Sequence, residues 1–224
     1  MPVTLAFDVY GTLIDTHGVV DQLHEYIGED AKAFSQTWRD KQLEYAFRRG
    51  LMRSYAPFSV CTSNALDYAC LVYGVDLSVS QKDRLLEHYR SLPPFSDVKT
   101  SMARLKESDC RLFAFSNGTA DAVSALLINA GISGYFESVI SVDDVKSFKP
   151  NPAVYHHLLE KAESQSESTW LVSSNPFDVI GAISAGINAA WLKRSENAVF
   201  DQWGIEPTLT IESLDALRER FAGQ

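Results

Sequence analysis

Basic residues are in short supply: 20 Lys and Arg against 29 Asp and Glu leave a formal net charge of -9. A nucleic-acid binder rests on clustered cations that neutralise phosphates, so that class is set aside. A small anionic substrate is not excluded, because a buried site can be locally positive inside an acidic protein. Long apolar runs are missing too. The longest, IGAISAGINAAWL at 180–192, carries Ser and Asn and is too short to span a bilayer. The N-terminal MPVTLAFDV has no basic stretch followed by an apolar one, so neither a signal peptide nor membrane contact is expected. Cysteine is scarce. Cys61, Cys70 and Cys110 have no paired spacing and read as reduced thiols of a cytoplasmic protein. Internal repeats and low-complexity segments are absent.

What is present is ordinary globular material. A hydrophobic share of 46% with 11% aromatics furnishes a substantial core. At 224 residues the chain accommodates one large α/β domain, or a medium domain with a smaller insertion. Val3 to Val9 is rich in apolar and β-branched types and ends at a turn signal, as a short buried strand does. From about residue 17 to 92 only helical patterns occur. The clearest is Ala33 to Tyr55, where Phe34 and Trp38 lie four apart, as do Leu43, Phe47, Leu51 and Tyr55. Further helices are predicted over 61–73 and 81–90, before SLPPFSD at 91–97 breaks the pattern.

Alternation resumes beyond that point. Strands are predicted at 111–116, 138–141, 169–174 and 187–192, the last taken as the final strand. Helices are predicted at 119–131, 152–162 and 177–186. Strands alternating with helices imply right-handed βαβ units. The fold expected is therefore α/β: a Rossmann-like, doubly wound parallel sheet core, residues 1–15 and 93–224, with a helical cap inserted at 16–92.

Ligands of such sheets bind outside the carboxyl ends of the strands. The first strand delivers Asp8, with Val9 beside it. RLFAFSNG delivers Ser116 and Asn117, and TWLVSSNPFD delivers Ser173, Asn175 and, one turn later, Asp178. Lys149 lies in SFKPNP, entering the helix after the SVIS strand. Any one of these is an ordinary turn former or helix cap. Four segments presenting such groups at the same sheet edge are better read as one site. The five histidines add little. His156 and His157 are neighbours on one helix and diverge, so they make no metal pair. His17, His24 and His88 are expected at the surface.

The segments FDVYGTL, FSNG, FKPNP and VSSNPFD resemble the four motifs of the haloacid dehalogenase-like superfamily. The stretch TWRDKQLEY, Thr37 to Tyr45, resembles its L-2-haloacid dehalogenase branch. Most of that superfamily transfers phosphoryl groups. There an acid-base Asp follows the nucleophile by two residues, and a further acid helps hold Mg²⁺. A phosphate ester carries up to two charges that a hard cation must neutralise before a carboxylate approaches, and its leaving alkoxide needs a proton. In this chain Tyr10 stands at the acid-base position, and Ser173 with Ser174 where a phosphatase has Gly-Asp. A 2-haloalkanoate carries one charge, and its halide leaves without a proton.

The resemblance thus implies a hydrolase of carbon–halogen bonds that turns short L-2-haloalkanoic acids into D-2-hydroxy acids through an ester on Asp8, with no metal and no cofactor. A Mg²⁺-dependent small-molecule phosphatase of the same fold is the alternative. It also implies roles. Arg39 reaches from the cap to accept halide, Lys149 steadies Asp8 and the substrate anion, and Thr12 bonds the Asp8 carboxylate. Asp178, with Ser173 and Asn175, positions or activates water, and a carboxylate beside Lys149 is expected to be ionised at neutral pH. Ser116 and Asn117 hold the substrate carboxylate. Tyr10, Leu43, Phe58 and Phe177 form an apolar pocket, with Val9 and Tyr155 as further substrate contacts. Two positions depart from the branch pattern. Asp40 stands where glutamine is frequent and is expected to face solvent or pair with Lys41, and Phe177 replaces a frequent tryptophan. The expected partners are the haloacid and its halide, with a homodimer formed through exposed aromatic and aliphatic faces of the long cap helix, as the resemblance implies.

Overall fold

The first strand, β1 (Thr4–Asp8), is buried along its whole length, as a central strand of a parallel sheet must be. The structure is a computed structural model that describes residues 2–221. After β1 the chain turns out of the sheet into four helices, α1 (Val20–Ile27), α2 (Ala31–Leu51), α3 (Phe58–Tyr73) and α4 (Val79–Tyr89). It then returns through α5 (Val98–Lys106), β2 (Arg111–Ser116), α6 (Ala120–Asn129), β3 (Ser138–Ser141) and α7 (Pro152–Lys161). Last come β4 (Thr169–Ser173), α8 (Pro176–Ser184), β5 (Asn188–Leu192), β6 (Leu209–Ile211) and α9 (Asp215–Phe221).

The sheet order is β3-β2-β1-β4-β5-β6, all parallel. Chain direction across the sheet reverses at β1, which opens a crevice at its carboxyl end. Register brings the polar strand tips level: Asp8 pairs with Phe115, and Phe7 with Val172, so Asp8, Ser116 and Ser173 emerge together. Successive side chains go to opposite faces. Leu5, Phe7, Leu112, Ala114 and Val172 pack with α5, α6, α9 and part of the cap. Ala6, Phe113, Phe115 and Leu171 pack with α7 and α8 on the other face.

Exit and return of the helical insertion lie side by side. Asp15 N–H donates to Pro93 O at 2.9 Å and Phe95 N–H to Leu13 O at 3.0 Å. Arg194 fastens this junction, with a two-pronged pair to Asp97 at 2.8 and 2.9 Å and a donation to Thr12 O. Among the described residues no helix is long and apolar enough to cross a membrane.

Three expectations are corrected. The long helix stops at Leu51 rather than Tyr55. Arg53 takes a left-handed φ of 53°, its N–H donates to Gly50 O and that of Ser54 to Arg49 O, which closes the helix end. The strand at 188–192 is not the last, because β6 adds an edge strand beside it. His88 is half-buried, with its Nε2 3.1 Å from Gly18 O, rather than on an exposed helix face. His17 and His24 are exposed as expected.

Candidate active site

Gly11 has φ +84°, a conformation in which a side chain is strained, and it swings the chain sharply after β1. Val9 O accepts the N–H groups of Thr12, Leu13 and Ile14, and the turn returns the Thr12 hydroxyl to Asp8 Oδ2 at 2.9 Å. The same oxygen accepts from Asn175 Nδ2 at 2.7 Å and, weakly, from Ser173 Oγ at 3.4 Å. Asp8 Oδ1 has a single donor among the described residues, Lys149 Nζ at 2.9 Å.

Asn175 departs from the local convention for its position. It occupies the N-cap of α8, yet its side chain makes no capping bond. Its amide is turned toward Asp8 and toward Tyr10 O at 3.2 Å, while the Asn175 N–H donates to Ser173 Oγ.

Lys149 is 1% exposed and all three ammonium protons are spoken for: Asp8 Oδ1, Phe115 O at 2.9 Å and Asp178 Oδ2 at 2.8 Å. Asn117 Oδ1 fixes its backbone by accepting the Lys149 N–H at 3.0 Å. Burial alone would lower the lysine's pKa; the two carboxylates overcome it and hold the ammonium above its ordinary value. Asp178 is wholly buried at the start of α8 and its pKa is pushed up to about 6, first by burial and then by Asp8, against the opposing pull of Lys149. The lysine alone would have predicted a shift in the other direction. Tyr155 donates to Asp178 Oδ1 at 2.8 Å, and burial raises its own pKa well above the ordinary phenol range. Gly181 makes room for this contact, since a Cβ there would lie 2.4 Å from the Tyr155 hydroxyl.

In front of this buried group lies a pocket lined by Asp8, Tyr10, Arg39, Leu43, Phe58, Ser116, Asn117, Lys149, Asn175 and Phe177. All ten are residues that sequence reasoning singled out. The cap supplies Arg39, Leu43 and Phe58, and burial pushes the Tyr10 phenol pKa up. Arg39 Nη2 donates to Tyr10 O at 3.2 Å. Phe177 meets the cap's Phe47 edge to face, ring centres 5.0 Å apart.

Thr12, Ser173, Asp178 and Tyr155 stand behind the pocket rather than lining it, so Tyr155 touches Asp178 and not the space before Asp8. Val9 does not line the pocket either. Strand alternation turns its side chain away from that of Asp8 into the core, where it is fully buried. Asp40 faces solvent, as expected, but its partner is Gln36 Nε2 at 2.8 Å, while Lys41 pairs with Glu44. Sequence reasoning missed Arg194, Gly181, Gln42 and Tyr89. Only Gln42 carried a signal, as part of the TWRDKQLEY stretch. Among the described residues no three His, Cys, Asp or Glu are grouped to hold a metal ion.

The haloacid dehalogenase-like hydrolase family model matches residues 3–186. The chain is 39% identical to haloacetate dehalogenase H-2 of Moraxella sp. (strain B), over 95% of each chain. It is 38% identical to the (S)-2-haloacid dehalogenase of Pseudomonas sp. (strain YL), over 97% of this chain and 93% of the other. A solved structure of L-2-haloacid dehalogenase from Xanthobacter autotrophicus with chloropropionic acid covalently bound superposes with a TM-score of 0.93 at 30% identity, covering 100% of both chains. With a family match over most of its length and relatives of this identity along nearly all of it, the chain belongs to the haloacid dehalogenase-like hydrolases, in the L-2-haloacid dehalogenase branch.

Proposed function

We propose that this protein hydrolyses short L-2-haloalkanoic acids, haloacetate included, to 2-hydroxy acids, with Asp8 as the nucleophile. The observation that carries the reading is Asp8 itself. It sits at the tip of β1 facing a cap-covered pocket, with one oxygen saturated by donors and the other, among the described residues, held by Lys149 alone. The second oxygen, Oδ1, keeps a lone pair for attack on C2 of the substrate. A new C2–O bond forms as the C2–halogen bond breaks, and the electron pair leaves with the halide. Inversion at C2 makes the final product of an L substrate the D-hydroxy acid.

Charge bookkeeping favours this step. Before it, Lys149 faces two carboxylates; the ester then removes the charge of Asp8, leaving Lys149 and Asp178 balanced one to one. The departing negative charge goes to Arg39, whose diffuse guanidinium suits a halide. Ser116 and Asn117 hold the substrate carboxylate, and Tyr10, Leu43, Phe58 and Phe177 exclude water from the displacement. Water then attacks the Asp8 carbonyl carbon, and Asp178, ionised at neutral pH with a pKa near its working range, takes its proton. The acyl–oxygen bond breaks, Asp178 returns that proton to the departing alkoxide, and Asp8 is left as a carboxylate once the remaining proton passes to solvent. Ser173 and Asn175 orient the ester, Thr12 polarises it, and Tyr155 holds Asp178.

In functional terms the chain divides into a core of residues 1–15 and 93–224 and a cap of 16–92. A homodimer is part of the proposal, its contact using the exposed Leu71 and Val72 of α3 and Val79 of α4. So is a cytoplasmic setting, in keeping with the three free cysteines.

A single turnover in ¹⁸O-water tests the reaction. Label enters the peptide containing Asp8, the first product carries none, and Asp8→Asn releases no halide. Label appearing directly in the first product makes Asp8 a general base and overturns the mechanism. Phosphate release that strictly requires Mg²⁺, with no halide released under EDTA, overturns the whole reading.

A further inference from the structure

We propose that Gln42 is a positioning residue that sets the guanidinium of Arg39 for halide departure, an inference that rests on the reading of Arg39 given above. Gln42 lies one turn along α2 from Arg39, fully buried, and it does not line the pocket. Its Oε1 accepts from the Tyr89 hydroxyl at 3.1 Å and from Arg39 Nη1 at 3.5 Å, and its Nε2 has no hydrogen-bond partner among the described residues. A buried amide nitrogen left unpaired costs stability, and a methionine of similar length would pack there without that cost. Packing therefore does not account for a glutamine at this position; its oxygen does.

The guanidinium has two acceptors on opposite sides. On the core side is Tyr10 O, which also accepts from Asn175, and the same Asn175 amide donates to Asp8. On the cap side is Gln42, whose own partner Tyr89 is fixed by stacking on the Tyr10 ring at 5.7 Å and packing against Trp38 at 5.3 Å. Two acceptors orient the fork while leaving its remaining N–H groups for an anion. The neutrality of the carboxamide matters. A carboxylate in its place would neutralise the cation that receives the halide, whereas an amide oxygen orients it and leaves its charge whole.

The test compares L-2-chloropropionate with L-2-bromopropionate in single-turnover halide release by wild type, Gln42→Met, Gln42→Glu and Arg39→Lys, with thermal unfolding of each. Chloride is the poorer leaving group and depends more on the acceptor. The proposal expects Gln42→Met to fold, relief of the unpaired amide nitrogen partly offsetting the loss of the acceptor for the Tyr89 hydroxyl, and to keep its KM. Its rate falls roughly tenfold for the chloro substrate and clearly less for the bromo one, short of the hundredfold or more that follows loss of a direct donor. Gln42→Glu loses more than Gln42→Met. If Arg39→Lys slows both substrates equally, the reading of Arg39 fails and takes this proposal with it. If Arg39→Lys discriminates between halides but Gln42→Met leaves the rates unchanged or lowers both alike, the positioning role alone is overturned. Should Gln42→Met not fold, Tyr89→Phe, which removes the donor holding Gln42, is read by the same criterion.

Discussion

On the sheet side of the pocket Asp8 is held by Lys149, Thr12 and Asn175, and Lys149 in turn by Asp178 and Phe115 O, every partner within 3.0 Å. On the cap side Arg39 has contacts of 3.2 and 3.5 Å, and its neighbours Leu43 and Phe58 offer only apolar surface. The first wall is a charge cluster with little room to change. The second is a largely apolar face with spare hydrogen-bonding capacity. The division matches the chemistry proposed, in which the sheet side forms and hydrolyses the ester while the cap side admits the substrate and receives the halide.

Breaking the sheet side gives the largest effect. Lys149→Met leaves Asp8 and Asp178 buried and facing each other without their shared cation. Removing one partner of a buried pair costs about 3–5 kcal/mol, read by urea unfolding. Halide release in a single turnover falls roughly a thousandfold, since the charge proposed to steady both nucleophile and substrate is gone. A loss below tenfold in rate, with stability unchanged, would mean that the cluster does not govern the chemistry.

The next test separates the two steps within that wall. Tyr155 donates to Asp178 Oδ1 and so favours its ionised form, against the burial that lifts its pKa to about 6. Tyr155→Phe removes that donor, so the pKa of Asp178 rises further. In the proposed mechanism ester hydrolysis needs the carboxylate, hence its acid limb moves to higher pH and the variant is impaired more at pH 6 than at pH 8. Displacement at C2 does not use Asp178 as a base and keeps its pH profile. The lost bond to a charged acceptor costs about 1.5–3 kcal/mol of stability. Pre-steady-state release of halide and of hydroxy acid across pH resolves the two steps, and an unmoved acid limb would assign it to another group.

The same contrast explains what was legible in the sequence. Polar residues ending apolar runs mark strand tips, and a parallel sheet brings tips together whatever their separation in the chain. Asp8, Ser116 and Ser173 were therefore placed by pattern alone. Depth behind the tips was not legible. The resemblance implies Tyr155 and Val9 as pocket residues, but the fold puts the Tyr155 hydroxyl on Asp178 and the Val9 side chain in the core. Asp178 shows the limit for electrostatics: a neighbouring lysine can be read from motifs, but complete burial, which outweighs it, is a property of the packed chain. The end of α2 was hidden because the apolar spacing continues through Leu51 to Tyr55, although Leu51 is 85% exposed and Arg53 has already turned left-handed. Arg194 meets Thr12 across a separation no local window spans.

The smallest effect expected lies on the cap, at Asp40, which stands beside Arg39, the proposed halide acceptor. Adjacent side chains on a helix point in different directions, and Asp40 is exposed, bonded to Gln36 one turn earlier, while Arg39 faces the pocket. Its charge reaches the site only through solvent, where screening acts over about 8 Å at physiological ionic strength. Asp40→Gln should therefore change stability by less than about 0.5 kcal/mol. It should raise kcat/KM for a haloacid anion by no more than roughly twofold at low salt, an increment that disappears as salt is added. Measuring kcat/KM for both proteins at low and physiological ionic strength decides it. A change of tenfold that persists in salt would mean that the acid turns inward during turnover, and the cap would then be as constrained electrostatically as the sheet.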